Sequence, residues 1–472
     1  MPRIAIVGAG IAGLNTALTL QDAGLSYSIY EASNRIGGRM HSDTTTWADN
    51  MVSEQCGEFI DGDHETLHQL IKRFGLNIID LEGEGVDRSQ NMMYLFNRYY
   101  RMDDLAPDFQ ALTPVFQQQM QDAGFPTTSD HFTQEGSRLD HLSVYDWIEQ
   151  YVNGGHNTPI GRILDSGCSG FYGLDTHEQS SLNLLYMLAM QDQEKSSTTP
   201  GPMQGSSKIA GGNGQLPQAI ARALPEGTIN LSHRLVALER KSDSLLILTF
   251  ATAEGPLEVH CERAVLALPF STLRHVDYQR AGFDSLKQGA IEQLGYGTIS
   301  KLFLQFDTPY WYKDSPWPRP SGGFIITDLD VQTFWDTSIG QPGSSGLLVN
   351  YTSGHRGAAY KPKTAYSNAA DSSDIQKYAQ HCLQQLERVL PGISTHYTGR
   401  AALSYPTGDP NLLGSYSCWR VGQYTQFAGY ERVRQGPIHF AGEHCSIEFQ
   451  GYMEGAAREG VRAAQEIVQD LS

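Results

Sequence analysis

Ile4-Ala5-Ile6-Val7-Gly8-Ala9-Gly10-Ile11-Ala12-Gly13 opens the chain and decides its fold. A β-branched apolar run stops at Gly8, three glycines follow at G-x-G-x-x-G spacing, and Leu14, Ala17, Leu18 and Leu20 continue with helical periodicity. The reading is strand, glycine turn, helix. Gly24 ends that helix and Tyr27 to Tyr30 reads as a second strand, completing a βαβ unit of about 30 residues at the head of a parallel sheet. In such a turn the first helix N–H groups and the positive end of the dipole replace water around a phosphate. Glu31 closes the second strand at about the 20-residue distance expected of a ribose-diol acceptor, and with no basic residue beside it favours an unphosphorylated ribose.

Working outward, residues 62 to 193 read as mainly helical, with amphipathic stretches at Glu65 to Phe74, Val144 to Tyr151 and Ser180 to Met190. Glu194 to Ser207 (EKSSTTPGPMQGSS) is rich in Ser, Thr, Pro and Gly and reads as a linker. Strand signals return at Arg234 to Glu239, Ser244 to Thr252, Leu257 to His260, Ala264 to Leu268, 298 to 306 and 322 to 351. Asp374 to Leu390 reads as a helix. Ile438 to Ala441 and Gly455 to Leu471 supply the last strand and helix. The expected fold class is α/β: a Rossmann-like dinucleotide domain interleaved with an α+β second domain. The first is drawn from 1–80, 206–290 and 405–472, the second from 81–205 and 291–404, with a helical subdomain.

The 472 residues carry 34 Lys+Arg against 52 Asp+Glu, a formal net charge of −18, and 40% hydrophobic residues. That apolar share supports a packed core and excludes disorder as the main state. The charge argues against nucleic acid, whose binding rests on Lys/Arg neutralisation of phosphates. Six scattered cysteines with no CxxC pair suggest neither a disulfide framework nor a zinc site. The chain begins at once with a buried-strand pattern rather than a signal peptide, and no run of about 18 apolar residues occurs, so a cytoplasmic location is expected.

Ala32-Ser33-Asn34-Arg35-Ile36-Gly37-Gly38-Arg39 follows Glu31, a feature that plain nicotinamide dehydrogenases do not need. Gly57-Glu58-Phe59-Ile60, Gly211 to Pro217, Ala264 to Pro269, Phe440-Ala441-Gly442-Glu443-His444 and Phe449 to Ala456 follow in order. This series resembles the FAD-dependent amine oxidase superfamily across nearly the whole chain. The resemblance implies bound FAD, expected to be non-covalent because Cys418 is off register for a flavin link. It assigns the cofactor to Gly8, Gly10, Ala12, Gly13, Glu31, Ala32, Gly38, Arg39, Gly57, Glu58, Phe59, Val236, Gly442, Glu443, Gly451, Tyr452 and Met453. Read physically, Glu443 accepts hydrogen bonds from ribityl hydroxyls and the helix opened by Gly451-Tyr452-Met453 aims its N-terminus at the reduced flavin's negative charge.

The resemblance also makes Lys301 the lysine that holds a water beside flavin N5. Aromatic rings flank the substrate nitrogen; Tyr452 matches one, Trp419 is the candidate for the other and Tyr416 competes with it. The implied reaction is hydride transfer from the carbon bearing the nitrogen of a small amine or basic L-amino acid to flavin N5, with electrons passing to O2 or a quinone. An amino-acid carboxylate needs a cation, for which Arg98, Arg101, Arg319 and Arg356 are candidates. Where related amino-acid oxidases often place that arginine, Glu58-Phe59-Ile60-Asp61 stands instead, and Glu58 or Asp61 suits a cationic substrate. His444, and His41, His64 and His68, lack the partners of a catalytic triad. Alternatives are a C–C desaturase or porphyrinogen-type oxidase, or a flavin-binding scaffold; Lys301 and Tyr452 argue against both. Peripheral membrane association and a homodimer are left open.

Overall fold

The computed structural model describes residues 4–81, 91–193, 206–313, 317 and 321–471. Ile4–Val7 is a strand with all four residues buried, and Ile11–Asp22 is the helix that follows it. A five-stranded sheet has the order Ile438–Phe440, Arg263–Leu266, Ile4–Val7, Tyr27–Tyr30, Ile229–Asn230, every pair parallel. Parallel strands must be covered on both faces, which explains why Ile4, Ala5 and Ile6 are all fully buried rather than alternating.

The C-terminal helix Met453–Leu471 lies along the first helix. A Cβ on Gly460 would stand 2.3 Å from the Ala12 carbonyl oxygen, so only glycine permits this approach. Asn15 Nδ2 donates to the Ala457 carbonyl and Thr16 Oγ1 to the Gly460 carbonyl, tying the first and last helices together.

An eight-stranded sheet runs Tyr366–Asn368, Tyr397–Ser404, Ser300–Phe306, Gly346–Thr352, Thr333–Asp336, Phe324–Thr327, Met92–Leu95, Arg98–Tyr100. The helix Ser373–Val389 buries Ile375, Ala379, Leu383 and Leu386 in the core shared with this sheet. The helices Met102–Ala123, Gln134–Asp140, Val144–Tyr151, Pro159–Tyr172 and Ser181–Gln193 follow the Arg98–Tyr100 strand in the chain. A separate four-stranded sheet comprises Gly255–Cys261, Leu245–Thr252, Arg234–Ser242 and Asp277–Arg280.

The 62-to-193 stretch is mainly helical, as expected, and also carries strands: Ile78–Asp80, and Met92–Leu95 with Arg98–Tyr100, which form a hairpin at the edge of the large sheet. All four residues of Met92–Leu95 are buried, and a short apolar run gives no period that separates strand from helix. Of the expected linker, residues 194–205 lie outside the described residues. Its last residue, Ser207, opens the strand Ser207–Ile209, which pairs antiparallel with Ile78–Asp80.

Candidate cofactor and active site

The glycines of the opening turn divide their work. Gly8 has φ +105°, and a Cβ there would come 2.5 Å from the Ala267 carbonyl oxygen of the neighbouring strand's extension. At Gly13 a Cβ would come 2.0 Å from the Gly8 carbonyl oxygen, so this glycine lets helix close on turn. Gly10 differs: nothing lies within 4 Å of its missing Cβ, and no side chain caps the helix that starts beside it. It faces a cavity of about 890 Å³, near the top of the range of about 300–1,000 Å³ typical of ligand sites. Gly37 N donates to the Ala9 carbonyl oxygen at 2.8 Å, laying the second glycine doublet on the first.

The cavity lining collects most of the residues named from sequence: Gly8, Gly10, Ala12, Glu31, Ala32, Gly38, Arg39, Gly57, Glu58, Phe59, Val236, Lys301, Gly442, Glu443, Gly451, Tyr452 and Met453. At one end Glu31 Oε2 accepts from Ala9 N and Oε1 from Ser33 N, which leaves each oxygen a lone pair for a diol. His233, Val236 and His275 continue that end. The uncapped helix start, the open space at Gly10 and the acid at the strand end fit the diphosphate and ribose of a dinucleotide.

Glu443 holds a different role from the one its position suggested. Its Oε1 accepts from Arg39 Nη1 at 2.7 Å and Ser417 N at 3.1 Å; its Oε2 accepts from Ser417 Oγ at 2.6 Å and Gly451 N at 2.9 Å. Four protein donors occupy the carboxylate, so it is a brace joining Arg39, Ser417 and Gly451 rather than an open acceptor for ribityl hydroxyls. Burial works against its charge, yet Arg39 and Ser417 outweigh burial and hold the carboxyl below its usual range.

Lys301 is similarly committed. It lies on the Ser300–Phe306 strand opposite Tyr351, is 4% exposed, and its ammonium donates to the Glu54 carbonyl at 3.1 Å, the Cys56 carbonyl at 2.8 Å and Glu58 Oε2 at 3.0 Å. Three protons meet three acceptors, leaving no proton for a water while these bonds stand. Glu58 Oε2 also accepts from Trp335 Nε1 at 3.3 Å, so Glu58 is paired within the protein and does not wait for a cation. The lysine thus pins the 54–58 segment, a wall of the cavity, to the large sheet.

Trp419 is not in this cavity. It packs on Tyr424 with ring centroids 4.4 Å apart, and its Nε1 donates to Glu431 Oε1 at 2.9 Å in the helical core. Tyr416 takes the place expected of it, lining the cavity with Tyr452. Its hydroxyl donates to the Gly170 carbonyl at 3.0 Å and meets the Tyr351 hydroxyl at 2.9 Å. Burial pushes both phenols up, so both keep their protons. Phe171, Phe324, Ile326, Trp335 and Tyr351 complete the aromatic end. They come from segments with no motif of their own, and no sequence signal singled them out.

Arg98, Arg101 and Arg356 line no part of the cavity, and Arg101 pairs with Asp103 on the surface. Arg319 lies outside the described residues. Cys418 is buried away from the cavity; Cys56 is the cysteine among its lining residues, and burial pushes that thiol up.

His64 and His444 flank the cofactor segment as neutral rings. Burial lowers His64 to about 4, and its ring lies edge-on to Tyr452 at 5.3 Å. Burial lowers His444 to about 3, and among the described residues neither of its ring nitrogens has a hydrogen-bond partner. Unfolding lets His444 take up a proton below its ordinary value of 6.5, so its contribution to stability is present above that pH and lost as pH falls toward 3. His444→Phe is therefore expected to flatten the acid-side loss of thermal midpoint between pH 6.5 and 4 relative to the parent. Parallel pH profiles of the two proteins would refute it.

The family model for flavin containing amine oxidoreductases matches residues 11–468. An L-amino-acid oxidase of Naja atra is 24% identical over 98% of this chain and 87% of its own. Polyamine oxidase 2 of Arabidopsis thaliana is 24% identical over 98% and 88%. Among solved structures, cyclohexylamine oxidase from Brevibacterium oxydans IH-35A superposes with a TM-score of 0.83 at 20% identity, covering 100% of this chain and 99% of its own. The fold and site define an FAD-dependent oxidoreductase. The chain belongs to the flavin containing amine oxidoreductase family.

Proposed function

We propose that this chain oxidises the C–N bond of a small amine that lacks an α-carboxylate. The observation that carries this reading is the cation inventory of the cavity. Among the described residues, its lysines and arginines are Arg35, Arg39, Arg234, Lys301 and Lys363. Arg35 donates to the Gly38 carbonyl, Arg39 to Glu443 and the Ser415 carbonyl, and Arg234 to Asn411 and the Pro410 carbonyl. Lys363 is exposed, and Lys301 is fully engaged. The aromatic end therefore offers rings and no available charge for a carboxylate, whose burial unpaired would be costly.

Bound FAD supplies two-electron acceptance of hydride from the carbon bearing the nitrogen. The protein's part is orientation and dryness. Tyr416 and Tyr452 line the cavity with aromatic rings, a side-chain type that suits an amine, with Tyr416 fixed by Gly170 and Tyr351. The imine product takes up water and yields a carbonyl compound and ammonia or a smaller amine. Non-covalent cofactor binding is supported by Cys56, whose thiol is raised by burial, being the cysteine that reaches the cavity. The division into a cofactor unit of 1–80, 206–290 and 405–472 and a second unit of 81–205 and 291–404 is supported by the two large sheets. The parallel sheet takes its strands from the first set and the eight-stranded sheet from the second.

Anaerobic flavin bleaching in a stopped-flow cell, across monoamines, diamines, polyamines and L-amino acids including arginine and lysine, tests this reading. Bleaching by amines and not by amino acids is expected. Bleaching by amino acids alone would overturn the substrate class, and bleaching by none, with FAD bound, would favour the desaturase alternative.

A further inference from the structure

A second, smaller compartment lies behind Tyr452. Its volume is about 40 Å³, and Phe171, Tyr172, Gln450 and Tyr452 form a wall shared with the main cavity. From that seam it runs outward past Tyr424 and Tyr186 to Phe125, which is 51% exposed. Rings follow one another along the way: Phe125 to Tyr186 at 4.9 Å, Tyr186 to Tyr424 at 5.6 Å, Tyr424 to Trp419 at 4.4 Å.

The polar atoms of these walls are spent elsewhere. Tyr186 Oη donates to Thr127 Oγ1 at 2.8 Å, Tyr172 Oη to the Asn183 carbonyl at 3.0 Å, Tyr424 Oη to Asn183 Oδ1 at 2.8 Å, and Trp419 Nε1 to Glu431. Thr128 Oγ1 is taken by Asp130 and Glu448 by Arg458. An orphaned donor, Gln450 Nε2, stands at the seam with the main cavity rather than deep in the compartment. A water inside would find few partners, and apolar cavities of this kind stay dry and take small apolar molecules. The space has room for a diatomic molecule.

We propose that this compartment stages dioxygen: it admits O2 from the Phe125 side and delivers it past Tyr452 to the cofactor. The proposal rests on the amine-oxidation reading above and takes O2 rather than a quinone as the acceptor. Dioxygen takes the two electrons and two protons that amine oxidation leaves on the enzyme and departs as hydrogen peroxide, which balances the reaction. It also gives Trp419 a place: a wall of the oxygen compartment rather than of the amine slot.

Ala428 and Ile447 line the compartment and neither lines the main cavity, so Ala428→Val and Ile447→Phe plug it without touching the amine site. In the holoenzyme each variant is expected to slow reoxidation of the reduced flavin by dissolved O2 on the order of fivefold, with anaerobic reduction by amine unchanged. Crystals of the parent pressurised with xenon should show the gas in the compartment. Slower reduction with normal reoxidation would make the space an amine subsite and overturn the proposal, as would unchanged rates in both plugged variants. Absence of xenon would overturn it whatever the rates. The amine-oxidation reading fails separately, if amines do not bleach the parent protein at all, and the choice of acceptor fails separately, if the amine-reduced parent is reoxidised by a quinone and not by dissolved O2.

Discussion

Lys301→Met is expected to cost about 3 kcal/mol of stability, read as a lower thermal midpoint, because it strands the buried Glu58 carboxylate and two carbonyl oxygens without their donor. The methionine keeps the length of the side chain, so packing beside Phe303 and Trp335 changes little. Adding Glu58→Gln removes the uncompensated charge and should restore most of the loss. A single variant as stable as the parent, or a double variant that recovers none of the loss, would contradict the brace assigned to Lys301.

Gly10→Ala and Gly13→Ala should fail in opposite ways. At Gly10 the backbone has φ −73° and ψ 177°, which alanine adopts freely, and nothing in the protein opposes the new methyl group. The variant should fold with a parental apoprotein midpoint yet bind FAD at least about 100-fold more weakly, since the methyl occupies the space offered to the diphosphate. At Gly13 the methyl would sit 2.0 Å from the Gly8 carbonyl oxygen, so the turn and the first helix must separate. That protein should be recovered poorly and melt early with or without FAD. Isothermal titration of the apoproteins with FAD, beside their melting curves, checks both. Equal FAD affinity in Gly10→Ala and the parent would remove the diphosphate from this turn.

The fold was legible wherever a local pattern had one physical cause. The opening βαβ unit, the helix Val144–Tyr151 and the long helix Ser373–Val389 appear where strand runs, glycine stops and amphipathic spacing put them. Met92–Leu95 did not, because its place on the large sheet depends on Phe324–Thr327, over two hundred residues away, and not on its own sequence. In the site, the glycine motifs could be read because backbone closeness demands glycine itself. Glu443 and Lys301 line the cavity, but their partners could not be read, since Ser417, Gly451, Glu54 and Cys56 meet them only through the tertiary fold. Trp419 and Tyr416 competed for one place because gaps blur the family match there. The short strand Ser417–Cys418 separates them, and at an odd spacing along extended chain Tyr416 lines the cavity while Trp419 packs on Tyr424 and reaches Glu431.

The most direct test of the central claim uses matched pairs that differ only in the α-carboxylate: cadaverine against L-lysine, and tyramine against L-tyrosine. Each is mixed anaerobically with the FAD-loaded protein while flavin absorbance is followed. The account predicts that at least one of the two amines bleaches the flavin and that its amino-acid counterpart does so at least about 100-fold more slowly, the effect of burying a carboxylate with no cation to meet it. Equal or faster bleaching by L-lysine or L-tyrosine would contradict it and would require a carboxylate-binding cation at the aromatic end of the cavity.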